Sequence, residues 1–347
     1  MEQIFEKAKN HFKQNLPFVL YNKPNSNAII GVFQQNDTLF QVNDFAEKGF
    51  VFASFDGSKT YLIPENESEI ISEIFPKKEI TVVEKEHKLS DEITKGNFED
   101  LVKKGIKAIE TNDFKKVVLS RKETLNLIDF ELFHAFENLV QFYPTTFVYC
   151  FYHPKVGTWL GATPEQLLKS NDRNFETIAL AGTQKDTGSN EVVWPKKEKE
   201  EQQFVTDYIV KKLRNVTSKL EVSKPYSLKA GSIWHIKTDI SGTLNSNSSL
   251  HQVIQLLHPT PAVCGFPKDK SKAFILENEN YNRTFYTGFL GELNVAYKTD
   301  LFVNLRCMEI DNAQAHLFMG CGITKDSIPE KEWEESKNKS ATMKKIL

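Results

Sequence analysis

Cysteine is scarce in this chain: Cys150, Cys264, Cys307 and Cys321 are the only four in 347 residues, and no two form a CxxC pair. That excludes a disulfide scaffold and a cysteine zinc ribbon. It leaves reduced thiols in apolar segments, the pattern of a cytoplasmic protein. Neither sign of charge is in surplus, since 44 Lys and Arg face 46 Asp and Glu for a net charge of −2. A nucleic-acid-binding chain usually carries a basic stripe, so that partner class is set aside. No run approaches the roughly 18 apolar residues of a membrane helix. The opening MEQIFEKAKNHFKQ lacks the unbroken apolar core of a secretion signal. GxGxxG, the P-loop, HExxH, the GxSxG elbow and clustered His/Cys ligands are also missing, which removes the simple nucleotide, zinc and serine-hydrolase readings. There is no internal repeat and no low-complexity tract.

What the chain does hold is core material. Hydrophobic residues make up 40% and charged residues 26%, with 26 Phe and 10 Tyr, an ordinary globular composition that excludes disorder. The length suits two average domains or one large one, with a core that needs no staples. Ile4, Phe5, Ala8 and Phe12 share one face of an opening helix. Segments 28–33, 38–42 and 49–55 read as strands. The charge-rich stretch 77–97 is the candidate boundary, and Asn97 is predicted to cap a helix carrying Phe98, Leu101, Val102, Ile106 and Ile109. Strand patterns follow at 116–121, 146–153, 158–162 and 175–182, with helices over 130–142 and 198–214. More strands are predicted at 231–244, 286–296, 300–310 and 315–323. Strands arriving in groups, without strict βα alternation, predict an α+β fold with large antiparallel sheets.

A set of carboxylates and cations stands in unusual local settings. Glu201 lies one turn before the apolar stripe Phe204, Val205, Tyr208, Ile209 and Leu213, on the inward face of its helix. A carboxylate there needs a partner or a cation, although a first-turn glutamate is also favoured by the helix dipole. In the C-terminal helix, Asp326 or Ser327 is the predicted cap and Pro329 suits the first turn. Glu332, Glu335 and Lys339 then share a face, which as plain structure reads as an exposed helix with an i,i+4 ion pair. In GATPEQLL, Thr163 reads as a helix cap and Glu165 as the second helical residue. A general acid there would need burial or a nearby anion to raise its pKa. Lys116 opens KVVLSR on the same face as Val118 and Ser120. It is an edge or snorkelling lysine or, if desolvated, a base.

Together these segments resemble the chorismate-utilising enzymes. KVVLSR, GATPEQLL, LAGT, KEKEEQ, HPTPAVCG, ENYNRTFYTGFLGE, NLRCMEI, MGCGI and EKEWEESKNKSATM occur in the family's order and spacing over residues 97–347. Residues 1–90 resemble the more variable start of the same single domain, 1–347. The lysine in KVVLSR and the short, unfused chain are most similar to isochorismate synthase. Two blocks depart from the usual pattern. KDxxEH reads KEKEEQ, with Gln202 for histidine, and RGxYAG reads RTFYTG, with Thr284 and Thr287 for small residues.

The resemblance implies two antiparallel sheets with helices outside, and water addition at C2 of chorismate with loss of the C4 hydroxyl. It implies Lys116 as the base, Glu165 as the acid, and Glu201, Glu335 and Glu332 as the carboxylates of a Mg2+ site. Oxygen ligands suit that hard cation. Arg306 and Lys339 are implied as partners of the substrate carboxylates. Gly182, Thr183, Gly320 and Gly322 are implied as close backbone contacts, with His235 and Tyr286 as further polar ones. Relatives that add ammonia generally carry glutamine in place of Lys116 and use an amidotransferase subunit, which is not expected here. A monomer acting on free chorismate is the expectation, for menaquinone or a siderophore, menaquinone being favoured. Salicylate synthase shares the lysine and the acid, and no residue separates it from this reading. A catalytically silent binding protein of the same fold is the remaining alternative.

Overall fold

The computed structural model describes residues 2–76, 92–185, 192–230 and 233–347. Helix α1 (Glu2–Lys13) is followed by β1 (Phe18–Asn22), β2 (Ala28–Gln34) and the short β3 (Phe40–Gln41). Strands β4 (Gly49–Ala53), β5 (Thr60–Pro64) and β6 (Ser68–Ile74) complete this part. Helix α2 (Glu92–Glu110) leads into β7 (Lys116–Asn126), and α3 (Leu132–Phe142) into β8 (Phe147–His153) and β9 (Gly157–Thr163). Next come β10 (Gln166–Asn171), β11 (Asn174–Lys185) and α4 (Lys196–Leu213). Strands β12 (Thr217–Val222), β13 (Tyr226–Ala230) and β14 (Ile233–Leu244) precede α5 (Leu250–Leu257), β15 (Gly265–Phe266) and α6 (Lys268–Asn278). The chain closes with β16 (Phe289–Val295), β17 (Lys298–Val303), β18 (Cys307–Asp311), β19 (Gln314–Ile323) and α7 (Pro329–Lys344).

Among the described residues the strands form two large sheets. One has the order β15-β7-β19-β18-β9-β8-β1-β2-β6, the other β12-β14-β11-β10-β17-β16-β4-β5-β3, with β13 also on β14. The pairings are antiparallel, as the grouping of strands predicts. The sheets pack face to face through aromatic rings. Phe52 stacks on Phe151 at 4.4 Å and Phe147 on Phe302 at 4.4 Å. Every residue of β8 is buried, because its alternate side chains Val148, Cys150 and Tyr152 meet α1 and α3 on the other face. Helices α4 and α5 cover the outer face of the second sheet. Helices α2 and α7 cover β7 and β19. Strand β1 pairs with β8 and β4 with β16, so residues before 77 build the same two sheets as the rest. No described helix is long and apolar enough to cross a membrane.

Several expectations shift in detail. Asn97 lies inside α2, which already runs from Glu92; of the candidate boundary, 77–91 lies outside the described residues and 92–97 is helical. The stretch 38–42 keeps only two strand residues. The segment 300–310 is two strands in different sheets, because Asn304–Arg306 carries the chain across from β17 to β18. Arg306 sits there in the left-handed region at φ +47°. Buried Asn304 fixes the crossing, its amide donating to Phe285 O and accepting from the Tyr149 hydroxyl at 2.6 Å. Both halves are apolar, so period-two patterning carries no mark of the change of sheet. Helix α7 starts at Pro329 with Ile328 in the cap position; the Ser327 hydroxyl instead accepts from Thr324 N–H.

Candidate active site

Strand β7 presents its two faces to different surroundings. Val117 and Leu119 enter the cluster with α2 and α7, while Lys116 faces α4. Its ammonium lies 2.7 Å from Glu201 Oε1, with the two side chains only 14% and 24% exposed. Gly322 on the neighbouring β19 makes room for this lysine: a Cβ there would stand 3.1 Å from Lys116 Cε. Glu201 does lie on the inner side of α4, but the buried stripe is Gln202, Val205, Thr206, Ile209 and Leu213. Phe204 is instead 49% exposed, under the Lys115 ammonium.

Glu165 is not in a helix. Thr163 ends β9, Pro164 and Glu165 form the link, and β10 begins at Gln166. Thr-Pro-Glu is a good helix start in isolation, but strand pairing overrides it. Val303 N–H donates to Glu165 O at 2.9 Å, and the Thr163 hydroxyl donates to Val303 O at 2.5 Å. The link leaves the Glu165 carboxyl half-buried in surroundings that desolvate it. Burial pushes its pKa up to about 7, against the pull of Lys116, Lys339 and the Thr260 hydroxyl. The raised pKa that an acid needs therefore comes from burial.

Helix α7 brings the acidic shell. Lys339 Nζ donates to Glu335 Oε1 at 2.6 Å and to Gly320 O at 2.8 Å, so the sequence-predicted i,i+4 pair forms and ties α7 to β19. Donor atoms of Glu332, Glu335 and Cys321 lie within 4.8 Å of one another. One turn before Glu201, Glu198 keeps a buried Oε2 without a partner among the described residues, beside Gly182, where a Cβ would stand 3.3 Å from Glu198 Cβ. An orphaned carboxylate oxygen and paired glutamates suit a hard divalent cation better than a softer one.

The predicted anchoring residues converge on the same region. Arg306 donates to Thr342 Oγ1 at 3.3 Å; burial lowers its pKa, while Tyr286, Tyr143 and Glu335 raise it. His235 Nδ1 lies 3.0 Å from Gly182 O, so the imidazole donates its Nδ1 proton to that carbonyl. Burial, with Lys339 and Arg306 nearby, lowers its pKa and keeps it neutral. Gly182 has φ +73° at a register shift in β11, after which Thr183 stands opposite His235; the Thr183 side chain lies outside the described residues. Tyr286 is buried and stacked on Phe318 at 5.5 Å. A Cβ on Gly320 would meet its hydroxyl at 3.0 Å.

The two departures from the family pattern have visible consequences. Gln202 is buried and donates to Thr206 and Thr238 at 2.9 and 2.6 Å, which fixes α4 on β14. Thr284 and Thr287 adopt φ +49° and +60°, strained for β-branched residues, and Thr287 accepts from Arg283. Sequence reasoning preferred Glu201 to Glu198 in KEKEEQ, and it missed Thr260 and the buried pair Arg283–Glu279, in which Arg283 Nη2 lies 2.6 Å from Glu279 Oε1. The spacing of Glu198 from Glu201, three residues on one helix face, was the available signal.

The candidate groups thus gather where β7, the β9–β10 link and two acidic helices meet, on a framework of two antiparallel sheets. The chain belongs to the chorismate binding enzyme family, whose sequence profile matches residues 53–347. It is 32% identical over 267 residues to isochorismate synthase EntC of Escherichia coli (strain K12), covering 72% of this chain and 66% of that one. It is 32% identical over 200 residues to isochorismate synthase DhbC of Bacillus subtilis (strain 168), covering 55% and 50%. The chain thus matches between half and two thirds of the length of these curated relatives. The solved structure of MenF, the menaquinone-specific isochorismate synthase of Escherichia coli, superposes with a TM-score of 0.80 at 22% identity, over 95% of this chain and 88% of that one. The last likeness shows the fold.

Proposed function

We propose that this chain is an isochorismate synthase, a hydroxyl-moving isomerase of the cytoplasm that acts as a monomer on free chorismate without an amidotransferase subunit. The observation that carries the reading is the Glu165 carboxyl, which burial raises to about 7 in a site shared with Lys116. Lys116 takes a proton from water as the water oxygen bonds to C2 of the ring. The ring double bonds shift, the C4–oxygen bond breaks, and protonated Glu165 gives its proton to the departing hydroxyl. One water enters and one leaves, so the reaction is a net isomerisation. Glutamine at position 116 could not accept that proton, which separates this chemistry from ammonia addition.

Glu198, Glu201, Glu332 and Glu335 are the residues that would hold Mg2+, which when bound neutralises a substrate carboxylate. Arg306 offers a bidentate fork to a carboxylate and Lys339 a point charge. Neutral His235 can contact the ligand without adding charge. Lys116 and Lys339 are paired with Glu201 and Glu335 here, so each has a charge partner in the absence of ligand.

The test is incubation of the purified protein with chorismate and Mg2+, resolving isochorismate, salicylate and pyruvate. Isochorismate alone is expected. Salicylate with pyruvate would make the chain a salicylate synthase, and well-folded protein without turnover would make it a binding protein. Whether the product feeds menaquinone or a siderophore follows from the enzyme that next consumes it.

A further inference from the structure

We propose that Arg121 is a positioning residue that fixes α7, and with it the carboxylates of Glu332 and Glu335, against β7. The proposal rests on the reading of those carboxylates as cation ligands. Arg121 stands on the face of β7 opposite Lys116 and is 5% exposed. Its Nε donates to Ser336 Oγ at 2.8 Å, and its guanidinium lies 4.4 Å from the Trp333 ring centroid. The Ser336 hydroxyl spends its own proton on Trp333 O at 2.7 Å, so toward Arg121 it is an acceptor. Nη1 of Arg121 donates to Glu123 Oε2 at 3.1 Å, and Glu123 Oε1 lies 2.6 Å from Lys344 Nζ. Near the start of α7, the Cys321 thiol on β19 donates to Glu332 O.

Geometry gives these ties their consequence. Trp333 and Ser336 each follow directly after Glu332 and Glu335, and successive helix residues are rotated by about 100°. Fixing Trp333 and Ser336 under one guanidinium therefore fixes the rotation of α7 that aims Glu332 and Glu335 at the site. The Lys344 contact fixes the far end. A buried charge of this kind gives little net stability over an apolar residue of similar volume, so rotational register is its evident contribution. One strand thus carries Lys116 on one face and the clamp for the acidic helix on the other.

The test is Mn2+ binding to the full chain without substrate, followed by electron paramagnetic resonance well below the melting temperature. Arg121→Met is expected to raise the Mn2+ dissociation constant about 10-fold, the usual scale for a residue that orients ligands, and Ser336→Ala about threefold. Val148→Ala, in the cluster under α1 and α3 and outside the one that holds Trp333, should lower the melting temperature and leave Mn2+ affinity unchanged. Arg121→Met and Ser336→Ala both within twofold of the parent, while Glu335→Gln is weakened, would overturn the proposal and leave the cation reading standing. If Arg121→Met does not fold, Ser336→Ala decides. A parent that binds no Mn2+, or a Glu335→Gln variant that binds it unchanged, would remove the cation reading and this proposal together.

Discussion

Lys116 Nζ and Glu201 Oε1 meet at 2.7 Å across 85 residues of chain, joining a strand of one sheet to the helix that covers the other. Each residue is unusual in its own segment, but only the fold supplies their meeting. Replacing Lys116 by Gln keeps a donor for Glu201 and removes the proton acceptor. We expect kcat to fall by about 10²–10⁴-fold, the usual worth of a positioned base, with chorismate affinity by calorimetry changed only a few-fold. Full water-adding activity in Lys116→Gln would remove the residue from this role.

Glu165 sets a pH dependence with a definite sign. Burial raises its pKa from 4.5 to about 7, and the proposed reaction needs the protonated form. kcat/KM is therefore expected to decline as pH rises through about 7, and Glu165→Gln to lose activity at every pH. Stability follows linkage. With the folded pKa above the unfolded one, the proton's contribution is complete below pH 4.5 and is lost as pH climbs through 7. The melting temperature of Glu165→Gln should thus gain on that of the parent between pH 5 and pH 8. A constant difference across that window would contradict the burial of this carboxyl.

Two glycines on β19 make opposite demands. At Gly322 an added methyl meets only the mobile end of Lys116, at 3.1 Å from Cε. At Gly320 it meets the Leu119 carbonyl, the Tyr286 hydroxyl and Ser120 Cβ at 3.0–3.1 Å. Gly322→Ala should fold nearly as well as the parent and lose about 10-fold in kcat, since a small misplacement of a catalytic group is costly. Gly320→Ala should lower the melting temperature by several degrees, on the scale of about 1–3 kcal/mol for overpacking. The reverse order in a thermal scan and a rate assay would refute these placements.

Much of this was legible in the sequence, and the failures have physical causes. Helices α1, α3 and α4 follow from apolar periodicity, strands β2, β4, β7, β8 and β9 from apolar runs, and α7 from its Pro329 start. Glu165 was misplaced because Thr-Pro-Glu carries the chemistry of a helix start, whereas hydrogen bonds from Val303 and Thr163 hold it between two strands. Phe204 reads as core by spacing but lies at the edge of the stripe, 49% exposed with the Lys115 ammonium over its ring. The Arg121–Ser336 clamp could not be read at all, since nothing in KVVLSR or ESKNKS shows that these two segments touch. Pairing across 215 residues is a property of topology.

Removal of the divalent cation supplies a further expectation. EDTA should abolish turnover, and added Mg2+ should restore it. Glu335→Gln should raise the Mg2+ concentration needed for half-maximal rate about 10-fold or more, the scale seen when a metal shell is disturbed. Turnover that is indifferent to EDTA would refute the assignment of Glu201, Glu332 and Glu335.

The most direct measurement follows the oxygen atom. In oxygen-18 water, with chorismate and Mg2+, the C2 hydroxyl of the isochorismate formed should carry the label in a single turnover, and Lys116→Gln should form no labelled product. Isochorismate without label, or labelled product from Lys116→Gln at the parent's rate, would contradict the assignment of Lys116 as the group that activates water.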